Sequence, residues 1–359
     1  MQIELKSLRA VNCGPLKDVC IDFTDATTGA PLSVALIAGA NGSGKTTVLE
    51  LIAALAEMLR PQYSASYYDG QIEYLGQREE FSERTFGFLK RADYAQADII
   101  VDGEVVSLFC GKPPSDNILA DNYFGRNSLE RSRPDQERSK GQIVEILRYA
   151  IHRAQKDALA QDQPKPQEDE DISTPPSLLF LPHIRFLAAL EGRQVSREDT
   201  SYQWVYRYVN ALEFEGSLNS YLIWLEYAEP EKFAQVQQFL GGLYPDGKKF
   251  DVERKRLKAV VHLQNGQTHD VEQLSSGEQN LLILLLELRR RLLPGSIVLI
   301  DEIENSLHPA FQHRIAQGLL QIQRETPYQL IVTSHAEAFI DVFGTKAARI
   351  LPMIPRGIK

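Results

Sequence analysis

Cysteine is scarce: the 359 residues include only Cys13, Cys20 and Cys110, at no metal-ligand spacing. This excludes a disulfide framework and points to a reducing compartment. An excess of positive charge is also missing. Lys and Arg total 39 against 48 Asp and Glu, a net charge of −9, so general polyanion binding is excluded and contact with nucleic acid would need a local basic patch. Long apolar runs are absent too. The most apolar stretch, Leu281 to Leu288, is broken by Glu287 and followed by Arg289, Arg290 and Arg291, far short of the roughly 20 residues that span a bilayer. Met1 to Lys6 alternates like a strand and lacks the apolar core of a signal peptide, so a cytoplasmic protein without a membrane segment is expected. A disordered chain is excluded by 43% hydrophobic and 24% charged residues, an ordinary globular composition with length for one large or two modest domains.

Several elements are legible. Gln2 to Leu8 and Val19 to Phe23 alternate as strands around the turn residues Asn12 to Pro15. Ser33 to Ala38 is apolar enough to be buried on both sheet faces, and a helix with Val48, Leu49, Ile52, Leu55 and Leu59 on its inner side follows Gly39 to Thr46. The pattern weakens over 61–176, which reads as an insertion: Tyr63 to Tyr74 is tyrosine-rich, Arg126 to Lys140 polar, Gly141 to Ala160 helical, and 161–176 a solvated linker with four prolines and an acidic run. Regularity returns with a strand at Ser177 to Leu181, helices over about Tyr202 to Leu240, and a hairpin around Asn265-Gly266. A helix from Ser276, a strand at Ser296 to Ile300, a helix from Pro309 to Glu325, and strands at Gln329 to Thr333 and Ala348 to Leu351 complete the chain.

Four motifs carry chemistry. Gly39 to Thr46 fits G-x-x-x-x-G-K-[ST] between a strand and a helix, the arrangement in which backbone N–H groups and the helix N-terminus cradle phosphates. Gly39, Asn41, Gly42, Ser43, Gly44, Lys45, Thr46 and Thr47 form the expected phosphate cradle, Lys45 reaching the β- and γ-phosphates and Thr46 offering its hydroxyl to Mg²⁺. Ile297 to Ile300 ends in Asp301-Glu302, where Asp301 is expected to hold Mg²⁺ and Glu302 to act as general base on the attacking water. Leu274-Ser275-Ser276-Gly277-Glu278-Gln279 opens a helix, either as an anion site or as a plain N-cap. Thr333-Ser334-His335 ends a strand, where the imidazole can meet a γ-phosphate.

Along the chain the order is P-loop, Leu274–Gln279, the apolar strand with Asp301-Glu302, then the strand with Ser334-His335. In that order the motifs resemble those of ABC-type ATPases of the SMC/RecF/OLD-like branch, OLD standing for overcoming lysogenization defect. Glu304 to Pro309 resembles the branch's D-loop, and Leu8 to Pro15 its N-terminal strand and turn. The likeness covers about 1–60 and 255–351. It implies an α/β P-loop NTPase of ABC-ATPase head type: a mixed central sheet with flanking helices, an N-terminal antiparallel β-subdomain and a helical signature lobe. The corresponding parts are 1–60 for the strands, P-loop and first helix, 61–176 for the insertion, 177–292 for the helical lobe and signature, and 293–359 for Walker B, D-loop and switch histidine. The resemblance further implies an ATP- and Mg²⁺-dependent homodimer joined head to tail. Ser275, with Ser276, Gly277 and Glu278, would then serve the partner's nucleotide, and Lys45, Glu302 and His335 would act within one chain. Gln194 is a candidate for the Q-loop glutamine, with a helix-surface glutamine as the other reading.

The wide separation of Lys45 from Ser275 disfavours a compact transporter ATPase, and the absence of sustained heptads between them disfavours a long coiled coil. In this the chain resembles the short ATPases of the RecF and OLD groups, many of which work with nucleases or other effectors in bacterial anti-phage defence. The resemblance implies a sensor or scaffold for a separate effector, such as a nuclease. The chain runs only a short way past His335, so an attached Toprim nuclease domain is not expected. His152, His183, His308 and His313 read as core or surface residues. The alternative is a RecF-like repair ATPase that clamps DNA, through Arg131 and Arg133, Arg254 to Arg256 with Lys258, or Arg289 to Arg291.

Overall fold

The computed structural model describes residues 1–60, 64–68, 71–75, 89–127, 137–159, 173–192, 194–198, 201–244, 247–305 and 307–351. Arg131, Arg133 and most of the expected linker, 161–172, lie outside them. The P-loop belongs to a six-stranded sheet in the order Val205–Arg207, Leu178–Leu181, Ser296–Ile300, Tyr328–Ser334, Val34–Ala38, Ala348–Ile350. All five pairings in it are parallel. Alternate residues of its four inner strands enter two separate cores, which is why those segments read as apolar runs. Ile37, Phe180, Leu299 and Ile331 pack with the helix Lys45–Glu57 and the N-terminal sheet. Leu36, Leu179, Leu181, Val298, Ile300 and Val332 pack on the other side with Leu281 to Leu288 of the helix Ser276–Arg291 and with Ile315, Leu319 and Ile322 of Pro309–Glu325.

A second six-stranded sheet takes the order Leu16–Asp22, Ile3–Cys13, Tyr94–Val101, Glu104–Gly111, Asn122–Arg126, Glu137–Lys140. Mixed pairing occurs here: Glu104–Gly111 and Asn122–Arg126 are parallel, and the other neighbours antiparallel. The segment read as an insertion therefore supplies four strands of the N-terminal β-subdomain, and its helix Gln142–Leu159 packs on the same core through Val144, Leu147 and Ile151. Gln329 joins the two sheets, accepting from the Leu5 N–H at 2.7 Å and donating to the Leu5 carbonyl at 2.9 Å. A buried amide with both ends satisfied fixes the layers without leaving an orphan group.

The stretch expected to be helical from Tyr202 begins instead with the short edge strand Val205–Arg207, parallel to Leu178–Leu181, before the helices Leu218–Ala228 and Pro230–Leu243. The expected hairpin is present as Lys258–His262 against Thr268–Asp270, with Gly266 at φ +82° in the turn. Ser64–Tyr68 pairs antiparallel with Gln71–Leu75. Among the described residues, no helix is long and apolar enough to cross a membrane.

Candidate nucleotide site

The carboxyl ends of the parallel strands form one edge, the position where ligands meet open α/β sheets. Gly39 follows the strand Val34–Ala38, and the loop to Gly44 turns back through Gly42 at φ +78° and Gly44 at φ +100°, conformations that favour glycine. A Cβ on Gly39 would stand 2.7 Å from Ser43 Oγ, and one on Gly44 2.6 Å from Leu16 Cδ2, so both must be small. The helix Lys45–Glu57 then starts with no side-chain cap and no acidic residue in its first turn. Its free N–H groups and partial positive charge suit an anion.

Lys45 is almost wholly buried, and its ammonium donates to the carbonyls of Gly39 at 2.9 Å and Ala40 at 3.1 Å. Burial lowers its pKa, against the opposing pull of Glu302, Glu304 and Asp301. Ser43 Oγ is buried with no hydrogen-bond partner. An orphan hydroxyl and a cation held only by loop carbonyls are groups that phosphate oxygens would satisfy, so the residues present fit a nucleoside triphosphate.

Asp301, 0% exposed, stands opposite. It accepts from the Thr46 hydroxyl at 2.9 and 3.1 Å and from the Thr333 hydroxyl at 2.7 Å. Thr46 and Asp301 are a hydroxyl and a carboxylate of the hard-oxygen type that Mg²⁺ takes. Among the described residues no group of three or more His, Cys, Asp or Glu could hold a metal. Glu302 is half-buried, with its backbone at φ +44° and its N–H donating to Thr333 Oγ1 at 2.7 Å. A glutamate in the left-handed region costs roughly 1–2 kcal/mol.

Asn41 and Gly42 are exposed on the loop, and Thr47 is half-buried in the first helical turn. His335 is exposed at the end of Tyr328–Ser334, and its backbone N–H donates to Glu304 Oε1 at 2.6 Å while Glu304 Oε2 is buried without a partner. Ser275 and Ser276 are exposed and Gly277 buried. Ser275 caps its helix and forms a capping box with Glu278, whose Oε1 also accepts from Lys248 at 2.6 Å. No hydrogen bond or ion pair among the described residues joins Ser275 to Glu278 with the P-loop of the same chain.

Two site residues escaped the sequence. His183, expected to be a core or surface histidine, follows the strand Leu178–Leu181 beside the Asp301 strand and places Nδ1 3.3 Å from Asp301 Oδ2. Arg185 is the other: its buried guanidinium contacts the backbone under Asp301 and Glu302. Neither has a local signal; the clue was only that they follow a buried strand of the nucleotide sheet. Gln194, the Q-loop candidate, is exposed in a loop.

A family model described as "AAA domain, putative AbiEii toxin, Type IV TA system" matches residues 34–341. No curated protein matches. Among solved structures, the SMC head domain from Thermotoga maritima is 12% identical over 94% of this chain and 92% of that one, with a TM-score of 0.37. An SMC head bound to the C-winged helix domain of ScpA is 15% identical over 94% and 92%, at 0.45. A dimeric ATP-binding cassette bound to ADP and Pi is 13% identical over 96% and 95%, at 0.36. All three are distant likenesses.

Proposed function

The chain belongs to this AAA-domain family, and from that premise we propose that it is an ABC-type ATPase that closes around ATP as a head-to-tail homodimer and thereby controls a separate effector protein in a bacterial defence complex. The ATPase reading is carried by one observation: the Lys45 ammonium, the orphan Ser43 hydroxyl and the Thr46–Asp301 pair converge at one P-loop. Arriving phosphate takes over the Lys45 donors from the Gly39 and Ala40 carbonyls and fills the partner that Ser43 lacks. Thr46 and Asp301 would hold Mg²⁺, which would supply charge neutralisation to the phosphates. Glu302 orients the attacking water and accepts its proton. The backbone N–H of His335, tied to Glu304, keeps the switch segment beside the Asp301–Glu302 strand end. Ser275 caps a helix N-terminus on the exposed surface, and that placement supports its use by a second copy.

Two features support a protein partner over DNA. Six of the basic residues that might have touched phosphate are already in ion pairs: Arg254 with Glu226, Arg256 with Glu253 and Asp270, Lys258 with Asp270, Arg289 with Glu325, Arg290 with Glu198 and Arg291 with Glu287. Exposed apolar side chains, Ile184 at 59%, Phe186 at 50%, Val209 at 71% and Leu212 at 91%, suit contact with another protein. The family's description, a toxin of a toxin–antitoxin system, also fits a multi-component arrangement.

The test uses tagged Glu302→Gln protein isolated from its native host with ATP and Mg²⁺. Loss of the base should reduce turnover about 10²- to 10⁴-fold while the phosphate contacts stay, so the ATP-bound dimer accumulates. Native mass showing that dimer with a stoichiometric second protein supports the proposal. A bare dimer holding DNA replaces the effector reading with a DNA clamp, and a monomer that holds ATP overturns dimerisation.

A further inference from the structure

Arg185 is a buried cation with no carboxylate among its hydrogen-bond partners in the described residues. Nε donates to Asn280 Oδ1 at 2.7 Å, one terminal nitrogen to the carbonyls of Leu181, Pro182 and Asp301 at 3.2, 2.6 and 3.0 Å, and the other to the Glu302 carbonyl at 3.2 Å. The chain of contacts continues. Asn280 Nδ2 donates to the Asn305 carbonyl at 2.7 Å, and Asn305 Nδ2 to the His183 carbonyl at 2.6 Å. One guanidinium thus ties together the strand end at 181–185, the Asp301–Glu302 turn and the first turns of the Ser276–Arg291 helix, with the segment at Asn305 closing the loop.

The expense of this arrangement is visible. Burial pulls Arg185 down to about 10, with Asp301, Tyr208 and Glu302 pulling the other way, so it remains a cation at neutral pH. The charge is met by carbonyls and the Asn280 amide, with Asp301 and Glu302 nearby rather than hydrogen-bonded through their carboxylates. The desolvation it carries is borne at the backbone of the Asp301–Glu302 turn. Glu302 is the residue that needs holding. Its left-handed backbone is pinned from both sides, the N–H by Thr333 and the carbonyl by Arg185. Lysine could not replace these contacts, because they require a planar fork with donors in fixed directions.

We propose that Arg185 is a positioning residue: it holds the Glu302 backbone in its left-handed conformation and couples that residue, through Asn280, to the helix that Ser275 caps. The Glu302 carboxylate and the Ser275 end of one chain then shift together, so an opening at the dimer face disorganises hydrolysis in the same molecule. This inference rests on the proposed role of Glu302 as base.

The test compares wild type, Glu302→Gln, Arg185→Lys, Asn280→Ala and the Arg185→Lys/Asn280→Ala double variant, measuring kcat, KM and the Kd of a fluorescent ATP analogue. Arg185→Lys should leave Kd within about threefold of wild type and lower kcat by about ten- to a hundredfold, the scale of an approximately 1 Å misplacement. Asn280→Ala should lower kcat less, and the double variant should fall short of the product of the two effects. A residue with only a structural role would lower the melting temperature without this split of kcat from Kd. If Arg185→Lys does not fold, Asn280→Ala carries the test, since it removes only the arm to the helix. A kcat within about twofold of wild type for the variant tested, or equal losses of kcat and affinity, overturns the inference. Should Glu302→Gln turn over at the wild-type rate, the base assignment falls and the inference with it; an inactive Glu302→Gln beside a fully active Arg185→Lys overturns the inference alone.

Discussion

The Lys45 ammonium illustrates how a single side chain can be prepared for a ligand. Its two carbonyl contacts at 2.9 and 3.1 Å keep a buried cation hydrogen-bonded, yet carbonyls are weaker partners than phosphate oxygens. Burial holds its pKa down, and an approaching polyphosphate offsets that penalty. Lys45→Ala is therefore expected to weaken ATP binding by about ten- to a hundredfold or more, from lost charged hydrogen bonds worth about 1.5–3 kcal/mol. Titration with a fluorescent analogue measures it, and unchanged affinity would remove the P-loop assignment. Glu304 is similar in kind. One carboxylate oxygen fixes the His335 backbone while the other is buried and unpartnered, a state unfavourable enough to require a reason at this site.

Among the elements, the helix Ser276–Arg291 combines a packing role with an exposed end. Its run from Leu281 to Leu288 is buried all round, and the single acid in it, Glu287, is satisfied by the Tyr206 hydroxyl at 2.9 Å and Arg291 at 2.7 Å. Its N-terminus is left at the surface with Ser275 and Ser276 outward. The capping box accounts for part of the motif as local structure, since Ser275 and Glu278 satisfy each other's backbone N–H groups. Ser275→Arg separates the cap from action in trans. Losing the cap should cost about 0.5–2 kcal/mol of stability, read by denaturant unfolding. The bulky cation should also abolish the ATP-dependent dimer while the monomer's ATP affinity stays at the wild-type value. A dimer of normal strength, measured by light scattering, would argue against use of Ser275 by the partner.

Over the whole molecule, charge pairing decides more than charge count. The net charge of −9 left room for a local basic patch, and the structure ties six candidate cations to carboxylates. Phosphate would have to displace those partners. Any DNA affinity should accordingly show a shallow dependence on salt, a slope of log K against log[salt] smaller in magnitude than about 2, because each phosphate neutralised contributes about −0.9. A steep slope in a filter-binding series would restore the DNA clamp.

Residues close along the chain determine the P-loop, the Asp301–Glu302 strand end, the capped Ser275 helix and the helix Pro309–Glu325. Each is a strand, turn or helix terminus whose backbone geometry and periodicity are written within a few consecutive residues. The four inner parallel strands are legible for the same reason, being buried on both faces, whereas the half-buried edge strand Val205–Arg207 is not. Tertiary structure alone decides that Tyr94–Val101 lies against Ile3–Cys13, because pairing partners so far apart leave no periodic mark on either segment. It alone brings His183 to Asp301 and Arg185 beneath Glu302. Those contacts join segments more than 100 residues apart, and a lone histidine or arginine carries no local pattern. What such a residue does is set by the strand end it follows and by the neighbouring strand that the sheet places beside it.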